Sequence, residues 1–324
     1  KTGGRGALVS VEDGSLGLDG CELSVAGEGD FVMLKAARSR LSVDRSSLSS
    51  SRAMSFVAVE ASASELEFRE SVLSAKAGVR VFGAISMEGG SLTVSGSLLE
   101  SSADLALTLL SLRGSSLLMD RTLVRAEAGT GYLRIGSFTD STGELRSSKC
   151  IVSWKGAGTL FESHGGSPSY RFDTIITETS SGLLRFFDAD GRPPEVWNSI
   201  LSNTAGSGEL LRSTLPPTAG SLVANCLWGF GSLVSGASAI TSLAGLNALN
   251  AGSALYSSRP LLSEPPTATF AASVKSLYPL SPGSACVGAA LPLDERYSLD
   301  FGGGHRPSRS DGAMPDIGAD QVSD

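Results

Sequence analysis

Residues 41–48 read Leu-Ser-Val-Asp-Arg-Ser-Ser-Leu, and the same pattern returns at 66–73, 92–99 and 117–124. Each copy has apolar residues at its first and third positions, then two polar or glycine positions, then a small residue that stands two positions before another apolar one. A sequence period between about 20 and 50 residues is typical of proteins built from stacked repeats. The stretch therefore predicts a solenoid.

Two linked columns extend the repeat over nine copies, at intervals of 24 to 28 residues. The small column consists of Cys21, Ser46, Ser71, Ser97, Thr122, Cys150, Thr174, Ser199 and Cys226. The apolar column consists of Leu23, Leu48, Leu73, Leu99, Val124, Val152, Ile176, Leu201 and Trp228. We interpret the small column as an inward-facing stack.

The spacing inside each copy requires a corner. Side chains alternate along a strand, so one strand cannot direct both the first apolar pair and the small residue inward. The chain must turn within two residues, and the second of these is Gly, Asp or Asn in five copies, types that tolerate a tight bend. These five residues are Gly20, Gly96, Asp173, Asn198 and Asn225.

A third apolar run follows in each copy after a Gly/Ser/Ala loop, as at 31–34 and 56–59. No apolar run shows the longer spacing of an amphipathic helix. The sequence predicts an all-β, right-handed parallel β-helix of about nine rungs, with three strands, one tight corner and two looser loops per rung. Stacked rungs would place Phe31, Phe56 and Phe82 in an aromatic ladder.

Composition narrows the function classes. The net charge of −7 argues against nucleic-acid binding, and no apolar run is long enough for a transmembrane span. The four cysteines lack metal-binding spacing, and we expect unpaired thiols, with Cys226–Cys286 as the one pair left open. We expect a monomer without a cofactor.

The C-terminal region contains three motifs in order. They are Arg259-Pro-Leu-Leu262, the stretch from Tyr278 to Gly288, and Asp300-Phe-Gly-Gly-Gly-His-Arg-Pro307 followed by Asp316-Ile-Gly-Ala-Asp-Gln321. Residues 247–321 thereby resemble the C-terminal part of bacterial secreted β-helix proteins of the pectin-lyase-like superfamily, although Arg-Pro replaces the usual Asp-Pro and Asp-Gln the closing Tyr-Glu. The resemblance implies export by a Gram-negative bacterium, to the medium or the cell surface. We expect a β-helix over 1–235 and a segment over 236–324 that packs on it and caps it.

The site motifs of pectate lyases and polygalacturonases are absent from the sequence. The third-strand face of rungs five to eight carries charges instead, and we predict ligand-binding residues there: Arg134, Glu162, His164, Arg185, Asp188 and Arg212. Glu162 would be the general acid or base if the protein is an enzyme. Asp188 and Asp190 form a weak metal candidate, for which a solvated turn is the competing interpretation.

Two function classes remain open at this point. The first is a non-catalytic adhesion or glycan-binding module that recognises a polysaccharide or a cell-surface glycan. The second is a polysaccharide lyase or glycoside hydrolase with a non-standard site on the same face. A row of exposed, mutually screened charges without a ligand is the plain alternative to both.

Overall fold

The computed structural model describes residues 6–75, 79–102, 105–127, 130–177, 184–204, 208–249, 283–291, 293–307 and 313–322. It is an all-β parallel β-helix of about nine turns, and its described strands form two parallel sheets. Both the fold class and the three strands per turn are confirmed. The motif Arg259–Leu262 and the first part of the motif 278–288 lie outside the described residues.

Sheet A contains the first and third strands of each turn. Its strands are β1 (Gly6–Glu12), β2 (Ser15–Asp19), β4 (Asp30–Ala37), β5 (Arg40–Asp44), β7 (Ser55–Arg69), β9 (Val81–Ser95), β11 (Ala106–Asp120), β13 (Tyr132–Thr139), β14 (Thr142–Arg146), β16 (Gly158–His164), β17 (Ser167–Arg171), β19 (Leu184–Asp190), β20 (Glu195–Trp197), β22 (Glu209–Ser213), β23 (Leu222–Val223) and β25 (Ser232–Gly236).

Sheet B contains the second strand of each turn. Its strands are β3 (Glu22–Ala26), β6 (Ser47–Ser51), β8 (Val72–Ala75), β10 (Leu98–Ser101), β12 (Leu123–Glu127), β15 (Lys149–Ser153), β18 (Thr174–Thr177), β21 (Ile200–Asn203) and β24 (Cys226–Trp228). One short helix, α1 (Leu243–Leu249), and a 3₁₀ turn (Glu295–Tyr297) follow the last strand.

Most turns have two tight corners and one loop, so the expectation of a single tight corner is wrong. The predicted corner joins the first and second strands and has a positive φ at, for example, Arg45 (47°) and Glu70 (49°). The other joins the third strand to the next turn and has a positive φ at Arg38 (48°) and Ala63 (46°). Turn-forming types occupy this second corner in other turns, as at Asp13 (49°), Gly114 (56°) and Asp140 (48°), so the sequence does carry a signal for it.

A buried hydroxyl follows the left-handed residue at both corners. In the first-to-second-strand corner, the N–H of Cys21 donates to Ser46 Oγ (3.0 Å), and the N–H of Ser46 donates to Ser71 Oγ (3.1 Å). Each hydroxyl also donates to the carbonyl two residues back, as Ser46 Oγ does to Asp44 (2.7 Å). Ser39 and Ser64 make the same contacts at the other corner. These hydroxyls satisfy main-chain groups that the turn buries and leaves outside the strand ladders.

The corner column continues through Ser97, Thr122, Ser148, Asp173, Ser199 and Asn225. Asp173 and Asn225 serve the same purpose as serine, because their Oδ1 atoms accept from the N–H of Ser148 (2.9 Å) and Ser199 (2.8 Å). The placement of Cys150, Thr174 and Cys226 in this column is therefore wrong by one or two residues. Partners in the column lie 25 or 26 residues apart, which is more regular than the predicted spacing.

The interior is a continuous apolar core of stacked like residues. Of the predicted aromatic ladder, Phe56 and Phe82 stack with their ring centroids 5.6 Å apart, and Phe31 stands in register with Phe56 in the neighbouring strand. The third strand bends at its middle, so that Met33 and Leu34 both point inward and are 0% and 1% exposed. Leu34 and Val59, which occupy equivalent positions in successive turns, therefore both belong to the core.

The chain after the last turn lies against the solenoid at two places. Leu246 of α1 is 0% exposed and belongs to the interior cluster. Further along, described C-terminal residues cover an outward-facing column of sheet B, which we call the outer column. The outer column consists of Leu98, Leu123, Lys149, Thr174, Ile200 and Cys226. Earlier turns carry the polar Glu22 and Ser47 at this position.

We call the C-terminal residues that lie on the outer column the cover, and the stretch 316–321 within it the closing motif. The closing motif fits closely against the outer column. Gly318 (φ 103°) has no room for a side chain, since a Cβ would lie 2.7 Å from Ile200 Cδ1. The next residue, Ala319, donates its N–H to Thr174 Oγ1 at 2.9 Å. Lys149 is fully buried, with its Nζ 2.9 Å from Asp320 Oδ2 and 4.8 Å from the Phe301 ring centroid. Burial lowers the pKa of Lys149 against the attraction of Asp320.

Arg306 organises this cover from within. Its guanidinium donates to the carbonyl oxygens of Gly318 (2.8 Å) and Ala319 (2.6 Å) and lies 4.3 Å from the Phe172 ring centroid. Burial lowers the pKa of Arg306 to about 10. Arg306 therefore holds the closing motif through two hydrogen bonds and also contacts Phe172 at a corner of the solenoid.

The first prediction concerns the corner column. Replacing Ser71 with Ala removes the acceptor for the N–H of Ser46 and should lower the free energy of unfolding by about 1 to 3 kcal/mol. Replacing it with Leu should cost more, because the site is 1% exposed and would be overpacked. The exposed Ser111 serves as the control, and Ser111→Ala should leave the urea midpoint unchanged. Equal midpoints for Ser71→Ala and wild type would contradict this account.

The second prediction concerns the C-terminal cover. Arg306→Lys keeps the charge but loses the planar fork that reaches two carbonyls, and it should weaken docking by about 2 kcal/mol. Limited proteolysis should then cleave the C-terminal residues faster, while the strands remain protected. The exposed Arg296 provides the control variant Arg296→Lys. Unchanged cleavage rates in Arg306→Lys would show that the cover does not depend on this arginine.

Candidate functional site

The predicted ligand-binding residues lie on the outward side of β13, β16, β19 and β22, which we call the charged face. Main-chain pairing places Arg134, Thr159, Arg185 and Glu209 in one column over consecutive turns. A second column contains Ser137, Glu162, Asp188 and Arg212. His164 and Asp190 pair at the margin. The structure thus brings all six residues to one face, where they form two columns and a margin.

The bend in the third strand explains this arrangement. Arg185 and Asp188 are three residues apart, a spacing that would put them on opposite sides of a straight strand. Between them Phe186 and Phe187 both point inward and are 0% and 1% exposed. Both charged side chains therefore face outward, and Arg185 reaches Asp188 with a contact of 2.6 Å between Nη1 and Oδ2.

Most of the charges are paired. Arg134 Nη2 lies 2.7 Å from Glu162 Oε2, and Arg185 Nε lies 2.5 Å from Glu209 Oε2. Burial lowers the pKa of Arg185, but the hydrogen bonds and charges of Glu209 and Asp188 outweigh it and hold the pKa above its ordinary value. These contacts fix the side chains along the face.

Glu162, the acid or base candidate, is not the only carboxylate in the middle of the face. Asp188 neighbours it in the same column, and Glu209 lies beside Arg185 in the other. Glu209 was missed because the alternation of a straight strand puts it on the opposite side of β22 from Arg212, three residues away. The bend occurs in the third strand of successive turns. It shows that Arg134, Arg185 and Glu209 share a column.

Other groups on the face have open bonding capacity. Arg212 is exposed and makes no ion pair with any residue that the structure describes. His164 is half exposed and lies 3.7 Å from Glu162 and 3.8 Å from Asp190. Tyr132 is 44% exposed, with the Arg134 guanidinium 5.2 Å from its ring centroid. The face therefore offers a cation, an imidazole and an aromatic ring to a ligand.

The weak metal candidate is not supported by the geometry. Asp188 is bound by Arg185, and the exposed Asp190 accepts a hydrogen bond from Thr214 Oγ1 at 3.2 Å. Within the described ranges, no group of three or more His, Cys, Asp or Glu side chains is arranged to hold a metal ion.

Comparison with known proteins adds no identity: the chain matches no protein-family model and none of the curated proteins. The described part of the chain has no helix with the length and apolar content of a membrane span.

The third prediction tests whether the charges form a coupled network. A double-mutant cycle of Arg134→Met and Glu162→Gln should give a coupling energy of about 0.5 to 1 kcal/mol, since the side chains are 28% and 16% exposed. The cycle for the exposed pair Arg40 and Glu65, with nitrogen and oxygen 3.6 Å apart, should give a smaller value. Unfolding in urea supplies the four free energies of each cycle. Additive effects for Arg134 and Glu162 would mean that the pair is not formed in solution.

Proposed function

We propose that the protein is an exported or surface-exposed scaffold that binds a polysaccharide along the charged face without transforming it. The observation that carries the proposal is the alignment of polar groups over successive turns. Turns of a parallel β-helix stack about 4.8 Å apart, a spacing close to the repeat of an extended sugar chain. A polysaccharide that runs along the columns would meet an equivalent set of groups at each turn.

The chemistry of the face suits sugar recognition. Sugar hydroxyls both donate and accept hydrogen bonds, and the paired guanidinium and carboxylate groups offer both functions in fixed positions. Arg212, which has no ion-pair partner among the described residues, supplies a planar donor for a carboxylate or sulfate on an acidic glycan. The exposed ring of Tyr132, with Arg134 beside it, gives an apolar surface for a sugar ring at one end.

The pairing of the carboxylates favours binding over catalysis. Glu162, Asp188 and Glu209 are each held by an arginine, an arrangement that orders side chains for recognition. The competing assignment, a lyase or hydrolase that uses Glu162 as acid or base, predicts product release and is separated by the experiment below.

Export is supported by the resemblance of the C-terminal motifs to those of Gram-negative secreted β-helix proteins of the pectin-lyase-like superfamily. In this chain the motif residues have physical roles. Asp300 accepts from the N–H of Gly304 (2.6 Å), Asp316 accepts from the N–H of Gly288 (2.6 Å), and Arg306 binds the closing residues. These contacts organise the cover that lies on the outer column, so the resemblance concerns architecture and location rather than an activity.

The fourth prediction is the binding test. Wild-type protein should be retarded in native gels that contain polygalacturonate or a neutral xylan, and Arg212→Ala should weaken retention of the acidic polymer at least about tenfold. Arg113→Ala is the matched control, because Arg113 is exposed on the same sheet in an earlier turn, outside the charged face. Both variants should melt at the wild-type temperature.

Three outcomes would count against the proposal. They are a wild-type protein that binds none of a broad polysaccharide panel, an Arg212→Ala variant that binds like wild type, and equal losses in the Arg212 and Arg113 variants. If the wild-type protein released new reducing ends or unsaturated sugars from a polysaccharide, the protein would be a hydrolase or lyase rather than a non-catalytic scaffold.

A further inference from the structure

Two cysteines that are distant in sequence meet beneath the C-terminal cover. Cys226 begins β24 and occupies the last position of the outer column, whereas Cys286 belongs to the described stretch 283–291. Both are 0% exposed and lie in one apolar cluster with Ile200 and Ile317. The side chain of Cys226 points away from the solenoid interior, so it is the cover that buries it.

The main chain holds both cysteines in place. The N–H of Cys226 donates to the carbonyl of Ser199 (2.9 Å) in the preceding turn. The carbonyl of Cys286 accepts from the N–H of Ile317 (2.8 Å), and Gly318 then donates to the carbonyl of Asn198 (2.8 Å). Each sulfur is thus fixed by a short path of backbone hydrogen bonds to the same pair of turns.

The two thiols are in direct contact. A hydrogen bond between the Cys226 and Cys286 side chains lowers the pKa of Cys286, and a second bond, with Ser284, adds to this against the opposing effect of burial. Thiols at hydrogen-bond distance on anchored backbones need only a small movement of their side chains to reach a sulfur–sulfur bond. All four cysteines lie within the described residues, and no disulfide joins any two of them in this structure.

We propose that Cys226 and Cys286 form a disulfide that fastens the C-terminal cover to the last turn of the solenoid. The oxidant is a small-molecule disulfide or a dithiol–disulfide oxidase. The thiolate of one cysteine attacks a sulfur of the oxidant and releases a thiolate. The thiolate of the other cysteine then attacks the mixed disulfide and releases the second. The new bond forms as the oxidant disulfide is reduced, and the two protons lost by the cysteines pass to the two departing thiolates.

The remaining cysteines do not compete for this bond. Cys150 points into the interior from β15, and burial raises its pKa, which disfavours the reactive thiolate. Cys21 lies on the first described turn, eight turns away from Cys226 in the stack. A disulfide requires Cα atoms within about 7 Å, which Cys21 cannot meet with any of the others.

The exchange must take place while the cover is undocked, since both sulfurs are buried once it has docked. Oxidation then closes a loop of chain from Cys226 to Cys286 and favours the docked state by reducing the freedom of the undocked one. The proposal is independent of glycan binding, because the charged face is on sheet A and the cysteines lie on the outer side of sheet B.

The experiment compares full-length protein refolded in oxidised glutathione with protein kept in a phosphine reductant. After denaturation and alkylation, the oxidised sample should contain two alkylated cysteines, Cys21 and Cys150, and the reduced sample four. Non-reducing peptide mapping should recover the peptides of Cys226 and Cys286 as one linked species. The oxidised protein should melt at least about 5 °C higher than the reduced protein.

Variants separate the disulfide from a packing effect. Cys226→Ala and Cys286→Ala should each abolish the difference in melting temperature between oxidised and reduced samples, whereas Cys21→Ala should retain it. Four alkylated cysteines after oxidation would overturn the proposal. So would a linked peptide that contains Cys21 or Cys150, or a redox-dependent melting temperature that survives in Cys286→Ala.

Discussion

The hydrogen bond from a corner N–H to the hydroxyl of the next turn is the constraint on which this structure depends. A parallel β-helix must bend its backbone twice per turn, and each bend buries main-chain groups away from the strand ladders. The hydroxyl of a serine next to the left-handed residue accepts a hydrogen bond from an N–H of the preceding turn. It also donates to the carbonyl of the residue two positions earlier, as Ser46 and Ser64 do. The register of every strand follows, because corners can bond in this way only when successive turns align.

The same alignment creates two distinct outer surfaces. On sheet A, in-register stacking assembles the charged face from residues that are 20 to 30 positions apart in the chain, such as Arg134 and Glu162. On sheet B it lines up the outer column, whose apolar members, such as Leu123 and Ile200, cannot remain in water without cost. The C-terminal motifs supply its cover, and Gly318, Ala319 and Arg306 have the shapes and donors that the column requires. One surface thereby stays exposed, and the other is closed by the chain itself.

The sequence predicts the period, the strand count and the fold because those features repeat in every turn. The sequence-based prediction fails where one turn departs from the others. It also fails where a residue of a different type takes over the same hydrogen-bonding role. Cys150, Thr174 and Cys226 look like members of a small-residue column, but the bonding positions belong to Ser148, Asp173 and Asn225. Aspartate and asparagine can accept the same N–H that serine accepts, and residue size alone does not reveal this.

The candidate site shows the same limit. All six predicted residues reach one face, yet their grouping into two columns and the role of Glu209 depend on a bend that places Phe186 and Phe187 both inward. The outer column was not recognised at all, since Ile200 and Cys226 are types that equally suit the interior. Its meaning becomes visible only with the C-terminal segment beside it.

The central claim, in-register stacking through the corner column, is tested most directly by distances along one outward column. Lys35, Ser111 and Arg212 are exposed and occupy equivalent positions in their turns. Ser111 lies three turns from Lys35, and Arg212 lies seven turns from Lys35. Cysteines are placed pairwise at these positions in a Cys21→Ala background and labelled with nitroxides. At about 4.8 Å per turn, double electron–electron resonance should give backbone-corrected separations near 14 Å for Lys35–Ser111, 19 Å for Ser111–Arg212 and 34 Å for Lys35–Arg212. Separations that are not additive, or that do not grow in proportion to the number of turns, would contradict the stacked register.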